Sequence, residues 1–248
     1  MNPPPYLWTF ILFANVAIVF LVLTGIGAAL AASGETPQSV RRRVGAAGLL
    51  LFGWLILAAV LGAVELFQPH LDRAGFAIVV AILLPIVVGA LLIRGSAAVR
   101  DILRAVPQSW LVGVQAYRGL GTIFLVLLGV GLLPPEFALP AGFGDALVGL
   151  AAIPVAVSYA GGAPQRGPLV VLWNVLGIAD LVIAVGTGFL SSPSPLQQLA
   201  FADPNYLAGA YPLVLIPVFA VPLSIVLHIA SLTKLAWAGA GKLAAARS

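Results

Sequence analysis

Residues 109–133 read SWLVGVQAYRGLGTIFLVLLGVGLL, and this stretch decides how the chain is built. It is apolar enough and long enough to cross the roughly 30 Å hydrocarbon core of a membrane as a helix, at about 1.5 Å per residue. It nevertheless carries an arginine, Arg118, near its middle. One ionised side chain at the centre of a bilayer costs about 2.5–3.5 kcal/mol on insertion scales, so Arg118 requires a partner or a function.

The next two apolar runs carry buried charges as well. Residues 138–160 read ALPAGFGDALVGLAAIPVAVSYA and contain Asp145, and residues 168–190 read PLVVLWNVLGIADLVIAVGTGFL and contain Asp180. Counting along each helix from its end places Arg118, Asp145 and Asp180 at nearly the same depth. The connection PPEFALP is so short that the first two of these helices must be neighbours. The sequence therefore predicts that Arg118 hydrogen-bonds to Asp145, to Asp180 or to both.

The composition of the whole chain identifies its solvent. Of 248 residues, 61% are hydrophobic and only 8% are charged, whereas soluble domains carry about 25% charged residues. We therefore predict an all-α polytopic membrane protein, a single seven-helix transmembrane domain over 1–248 in contact with the lipid bilayer. The first span is expected to be a membrane helix rather than a cleaved signal peptide, because no basic residue precedes it. The predicted spans are about 7–32, 44–66, 74–94, 109–133, 138–160, 168–190 and 207–234.

The basic residues predict the orientation of the bundle. Ten of the twelve lie after odd-numbered spans, namely Arg41, Arg42, Arg43, Arg94, Arg100, Arg104, Arg166, Lys234, Lys242 and Arg247. Only Arg73 lies on the other side. Because cytoplasmic loops retain Lys and Arg, the N-terminus is predicted outside and the C-terminus in the cytoplasm. The preference for arginine over lysine, in an Ala/Gly/Leu-rich chain, is typical of a high-GC bacterium. The predicted location is thus multi-pass in the bacterial inner (cytoplasmic) membrane.

Several classes of chemistry find no support in the residues. The chain has no cysteine and two histidines, which excludes disulfides and thiolate metal sites. No pair of nucleophile and base is visible, so we predict no catalytic residue and no metal site, and whether the protein is an enzyme stays uncertain, leaning no. The sequence names no cofactor. Nucleic acid is not an expected partner, because the basic residues sort by membrane side rather than forming one patch.

The polar residues around the three charges form the predicted ligand-binding set. Gln115 and Thr122 share a face with Arg118 if the span is a regular helix, since they lie at i−3 and i+4 from it. Glycines near the same depth allow close helix approach. The predicted ligand-binding residues are Arg118, Asp145, Asp180, Gln115, Tyr117, Asn174 and His228.

Two segments are predicted to depart from straight spans. The last span contains Pro212, Pro217 and Pro222, each of which removes a backbone hydrogen bond, so this helix is expected to be bent or partly opened. Residues 94–108 place apolar and charged residues on opposite sides of a helix, which favours a short helix on the membrane surface. A plain charged loop is the alternative.

The second half of the chain resembles a family of small bacterial multi-pass membrane proteins that is uncharacterised. The resemblance covers about 107–235, and it implies no activity. It rests on Gln115, Tyr117, Arg118, Pro140, Gly142, Gly144, Asp145, Trp173, Asn174, Asp180, Pro217, Pro222 and His228.

The sequence leaves the function open between three classes. The first is a carrier or binder of an ion or small polar ligand through the charges near the midplane. The alternative is a non-catalytic accessory or assembly subunit, in which these charges serve packing or docking to a membrane-protein partner. The third is an intramembrane enzyme. A carrier predicts a cavity that reaches Arg118, whereas a subunit predicts a dry and fully paired cluster.

Overall fold

Helices form most of the computed structural model, which describes residues 4–71, 75–162 and 165–245. Seven of the helices in these residues are long and apolar enough to cross a membrane, and no strand is found among them. The predicted all-α, seven-span membrane fold is confirmed. The elements are α1 (Pro5–Ala32), α2 (Pro37–Ala63), α3 (Phe76–Gly95), α4 (Ala97–Ala105), α5 (Gln108–Gly113), a 3₁₀ helix (Val114–Thr122), α6 (Ile123–Gly129), α7 (Pro135–Gly162), α8 (Gly167–Ser191), a 3₁₀ turn (Leu207–Gly209), a π turn (Ile216–Ala220) and α9 (Val221–Ala245).

Helix α2 begins earlier than the apolar run predicts. It starts at Pro37 rather than near residue 44, because Thr36 caps it and accepts a hydrogen bond from the backbone N–H of Ser39. Proline in the first turn loses nothing, since that N–H would have no partner in the helix. The Nε of Arg43 then lies 3.3 Å from a carboxylate oxygen of Glu35. The apolar run predicted only the later part of this helix, because its first turns contain Arg41, Arg42 and Arg43.

The last span begins later than predicted. The expected helix from residue 207 is replaced by a 3₁₀ turn and an irregular buried stretch, and regular α-helix begins only at Val221. Leu213, Val214 and Leu215 are fully buried in this stretch. Pro212 and Pro217 remove backbone donors in this stretch, which includes a π turn at Ile216–Ala220. The prediction that this span is partly opened is confirmed for its first half, residues 207–220.

The segment before the fourth span is helical, as one of the two alternatives predicts. The hydroxyl of Ser96 caps α4, Leu103 is buried, and Arg104 is exposed and paired with Asp101 at 3.2 Å. The Nζ of Lys234 donates to the backbone carbonyls of Leu103 and Arg104, both at 2.8 Å. The C-terminal end of α4 is therefore held by the last span.

Helix α7 lies at the centre of the half of the bundle that carries the charges. It packs against α5, the 3₁₀ helix, α6 and α8, while α9 packs against α3, α5 and α8. Helix α3 is peripheral: 11% of its most apolar stretch is buried, against 56% for the last span. An apolar helix with so little burial requires lipid around it.

Candidate functional site

The 3₁₀ helix decides which side chains of the fourth span face the bundle. A 3₁₀ helix has three residues per turn, so Gln115, Arg118 and Gly121 repeat on one buried face. Thr122 is exposed, and its hydroxyl donates to the carbonyl of Gly119 at 2.9 Å. The prediction that Thr122 shares the face of Arg118 is wrong, because it assumed 3.6 residues per turn.

The guanidinium of Arg118 has acceptors at all three of its nitrogens. Its Nε and Nη2 each lie 2.8 Å from Oδ1 of Asp145, and Nη2 also donates to Oδ2 of Asp180. Its Nη1 donates to the carbonyl of Gly177 at 3.1 Å and faces Nε2 of His228 at 3.5 Å. Each of the three guanidinium nitrogens thus donates to at least one acceptor, and the side chain is 2% exposed. The predicted pairing of Arg118 with the two aspartates is confirmed.

Glycines provide the space for the two carboxylates. A Cβ on Gly121 would overlap the carboxylate of Asp145, and a Cβ on Gly144 would overlap that of Asp180. Gly121, on the 3₁₀ helix, leaves space for Asp145 of α7. Gly144, on α7, leaves space for Asp180 of α8. Close approach of this kind is what small residues provide in membrane bundles.

A chain of buried hydrogen bonds leads away from Arg118. Nδ1 of His228 lies 2.9 Å from Oδ1 of Asn174, whose Nδ2 donates to the carbonyl of Val170 and to Oγ of Ser231. Nε2 of Gln108 donates to the same Ser231 hydroxyl at 2.6 Å. Because the amide of Asn174 uses its nitrogen elsewhere, the network assigns the proton of His228 to Nδ1. In this tautomer Nε2 presents a lone pair to the guanidinium of Arg118.

A second branch joins the fourth span to α9. The hydroxyls of Tyr117 and Ser224 lie 2.6 Å apart, and Nε2 of Gln115 donates to the carbonyl of Ser224 at 3.0 Å. Sequence reasoning missed Ser224 and Ser231. The available signal was their spacing, since they lie at i−4 and i+3 from His228 and thus on its helical face.

The predicted site residues fall into two hydrogen-bonded groups. Arg118, Asp145, Asp180, His228 and Asn174 form the first, and Gln115 and Tyr117, which both bond to Ser224, form the second. Gln108, which donates to Ser231, is another residue that the prediction left out, although it lies seven residues before Gln115. Within the described part of the chain, no three His, Asp or Glu side chains come together as a metal site.

Two cavities adjoin the charges. The larger, of about 290 Å³, lies between α3, α8 and residues 207–221, and Asp145 is the charged residue in its described lining. The smaller, of about 50 Å³, is lined in part by Arg118, Tyr117, Asp145 and Asn15. Asp145 thus borders both spaces, whereas Arg118 borders only the smaller one.

A protein-family model described as "Domain of unknown function (DUF8737)" matches residues 75–236. This range covers well over half of the chain. The chain belongs to this family. The DUF8737 region contains all seven predicted site residues, while α1 and α2 precede it, and the prediction of an uncharacterised family is confirmed. No curated protein and no solved structure matches the chain.

Proposed function

We propose that this integral membrane protein binds a cation, or the cationic group of a small ligand, at Asp145 and Asp180 and carries it within the bilayer. The observation that supports the proposal is an imbalance of charge. Two carboxylates share one guanidinium, so the cluster holds one surplus negative charge when both are ionised. A surplus charge at this depth is costly unless a cation offsets it.

The carboxylates are also the part of the cluster that a ligand can reach. The nitrogens of Arg118 are directed at acceptors on α7 and α8, whereas Oδ2 of Asp145 and Oδ1 of Asp180 accept no hydrogen bond from the described residues. The side chains of Asp145 and Asp180 are 12% and 14% exposed, against 2% for Arg118. The cluster therefore presents oxygen acceptors rather than nitrogen donors, which favours a cationic ligand over an anionic one.

One observation favours the second candidate, a non-catalytic subunit of a membrane complex. The ion pairs of Arg118 with both aspartates are the arrangement expected when buried charges fix how helices pack. The two candidates differ in whether the carboxylates are accessible from the membrane.

A carbodiimide experiment separates them. Purified protein in lipid vesicles is treated with dicyclohexylcarbodiimide, which reacts with carboxyl groups inside a membrane, and the peptides are analysed by mass spectrometry. We expect modification at Asp145, and none at this position in Asp145→Asn. A second measurement uses vesicles loaded with a pH-sensitive dye. A sodium, potassium or methylammonium gradient should change the internal pH faster with the wild type than with Asp145→Asn. Absence of both labelling and flux would favour the subunit.

We also propose the orientation that the basic residues predict, with the N-terminus outside, in a bacterial inner membrane, and with the chain forming one domain. The basic residues of the described ranges support this orientation, since they lie at or after the ends of odd-numbered spans. They are Arg41 to Arg43, Arg94, Arg100, Arg104, Arg166 and Lys234. Arg73 and Arg247 lie outside the described residues, as does the side chain of Lys242.

A further inference from the structure

The larger cavity has the size of a small organic molecule. An engineered cavity of about 150 Å³ is large enough to hold benzene, and this one measures about 290 Å³. By that comparison it accommodates a body of about a dozen non-hydrogen atoms. Its walls are almost entirely hydrophobic and include Ile78, Ile82, Phe124 and Leu213. The body that fits it is apolar, because these side chains offer no hydrogen bonds.

The cavity is elongated and its inner end is charged. It follows α8 from Leu181, beside the cluster, to Ser192, just after the end of the helix. Eleven residues of α-helix correspond to about 16 Å. Asp145 lines the inner part, and the hydroxyls of Ser192 and Ser194 lie in the loop at the other end. An occupant would thus lie along α8 with one end on a carboxylate.

The cavity borders the surface that lipid covers. Leu83 of α3 belongs to its lining and is 54% exposed, and α3 is the least buried of the spans. A molecule dissolved in the bilayer therefore meets the cavity beside α3. This access suits an occupant that partitions into lipid.

We propose that this cavity binds a hydrophobic amine, with its apolar body between α3 and α8 and its ammonium group on Asp145. The inference rests on the proposed function, because the same carboxylates bind the cation, and it adds the class of ligand. A fatty acid or other anion is disfavoured, since Asp145 lines this cavity and Arg118 does not. A purely apolar molecule would leave the free oxygen of Asp145 without a partner.

Three probes of the same shape test the charge. The detergent-solubilised full chain is titrated with 3-phenylpropylamine, with the neutral 3-phenylpropan-1-ol and with the anionic 3-phenylpropionate, and binding is measured by calorimetry and by the shift in Tm. We expect the amine to raise Tm and to bind at least tenfold more tightly than the alcohol, and the carboxylate to produce no shift. Equal binding of the three probes would overturn the proposal.

Two phenylalanine variants on one helix test the location. Ala184→Phe fills the cavity from α8, and Ala179→Phe places the same side chain on the exposed face of that helix. We expect at least tenfold weaker binding of the amine to Ala184→Phe and unchanged binding to Ala179→Phe. If Ala184→Phe does not fold, as judged by gel filtration, Val79→Trp fills the same space from α3. Full amine affinity in the folded cavity-filling variant would show that the amine binds elsewhere.

Carbodiimide labelling keeps the two proposals apart. If the amine fails to bind but Asp145 is still modified, the ligand class is wrong and the cation site stands. If Asp145 is neither modified nor required for cation flux, both proposals fall. If both hold, saturating 3-phenylpropylamine should reduce the labelling of Asp145 at least several-fold in the wild type and leave it unchanged in Ala184→Phe.

Discussion

Replacement of Arg118 by alanine removes the positive charge from a cluster that retains two carboxylates. Arg118 contributes to two buried ion pairs, with Asp145 and with Asp180. Removing one partner of a buried pair costs about 3–5 kcal/mol, because the other charge is left alone. Since both carboxylates lose the same partner, we expect the free energy of unfolding to fall by an amount near the upper end, about 5 kcal/mol. This is comparable with the whole stability of many domains.

The size of the effect should depend on the carboxylates rather than on the arginine alone. Arg118→Ala combined with Asp145→Asn and Asp180→Asn leaves neutral groups at the same depth, so the triple variant should be more stable than Arg118→Ala. We expect an interaction energy of about 1–3 kcal/mol for groups in such direct contact. Arg166→Ala is the control, because Arg166 is exposed and surface changes are usually within about 0.5 kcal/mol.

Unfolding in mixed detergent micelles, followed by tryptophan fluorescence, measures these differences. Trp173 is a suitable reporter, since its ring lies 5.0 Å from that of His228 and its Nε1 donates to the carbonyl of Val148. If the effects of the three substitutions add within about 0.5 kcal/mol, the charges do not stabilise one another and the reasoning from pairing is refuted.

Two further predictions concern the surroundings of the cluster, and a third concerns the orientation of the bundle. Gly177→Ala should lower the free energy of unfolding by about 1–3 kcal/mol, because the added Cβ would overlap the ring of His228. Gly129→Ala is the control, since a Cβ there meets no atom within 4 Å. It should stay within about 1 kcal/mol of the wild type in the same unfolding assay. Ser231→Ala should cost about 1–3 kcal/mol, since two buried amides lose their shared acceptor, and an unchanged unfolding midpoint would contradict the network. Reporter fusions after Gly34 and after Ser194 should read cytoplasmic and external, respectively, and the reverse result would refute the orientation.

The spans and the central cluster could be predicted from the sequence, because both follow from depth. A run of apolar residues must cross the membrane, and charges at equal depth on adjacent helices must meet to be tolerated. The pairing of Arg118 with Asp145 and Asp180 needed only these two arguments. The exposure of Thr122 could not be predicted, because nothing in the residues 114–122 indicates a 3₁₀ helix rather than a regular one.

The rest of the network depends on tertiary packing. Ser224 and Ser231 are small and common residues, and each becomes important only because α9 brings it to an amide or a hydroxyl on another helix. The larger cavity could not be predicted from the sequence either. Leu83 and Leu181 would occupy the same positions in the apolar pattern if they were closely packed instead of lining a cavity. A cavity forms where neighbouring helices do not pack closely, whereas hydrophobic periodicity indicates only which face of a helix is buried.

The 3₁₀ helix of the fourth span also links the cluster to the thickness of the bilayer. At about 2.0 Å per residue in Val114–Thr122 and 1.5 Å elsewhere, the 22 residues of Gln108–Gly129 extend about 37 Å, against about 33 Å for a continuous α-helix. Conversion to α-helix would shorten the span by about 4 Å and, at about 20° per residue, turn Arg118 roughly a quarter of a revolution away from Asp145. A thin membrane favours the shorter span and a thick one the longer. We therefore expect shorter lipids to weaken the ion pairs of Arg118 by favouring the α-helical form of this span.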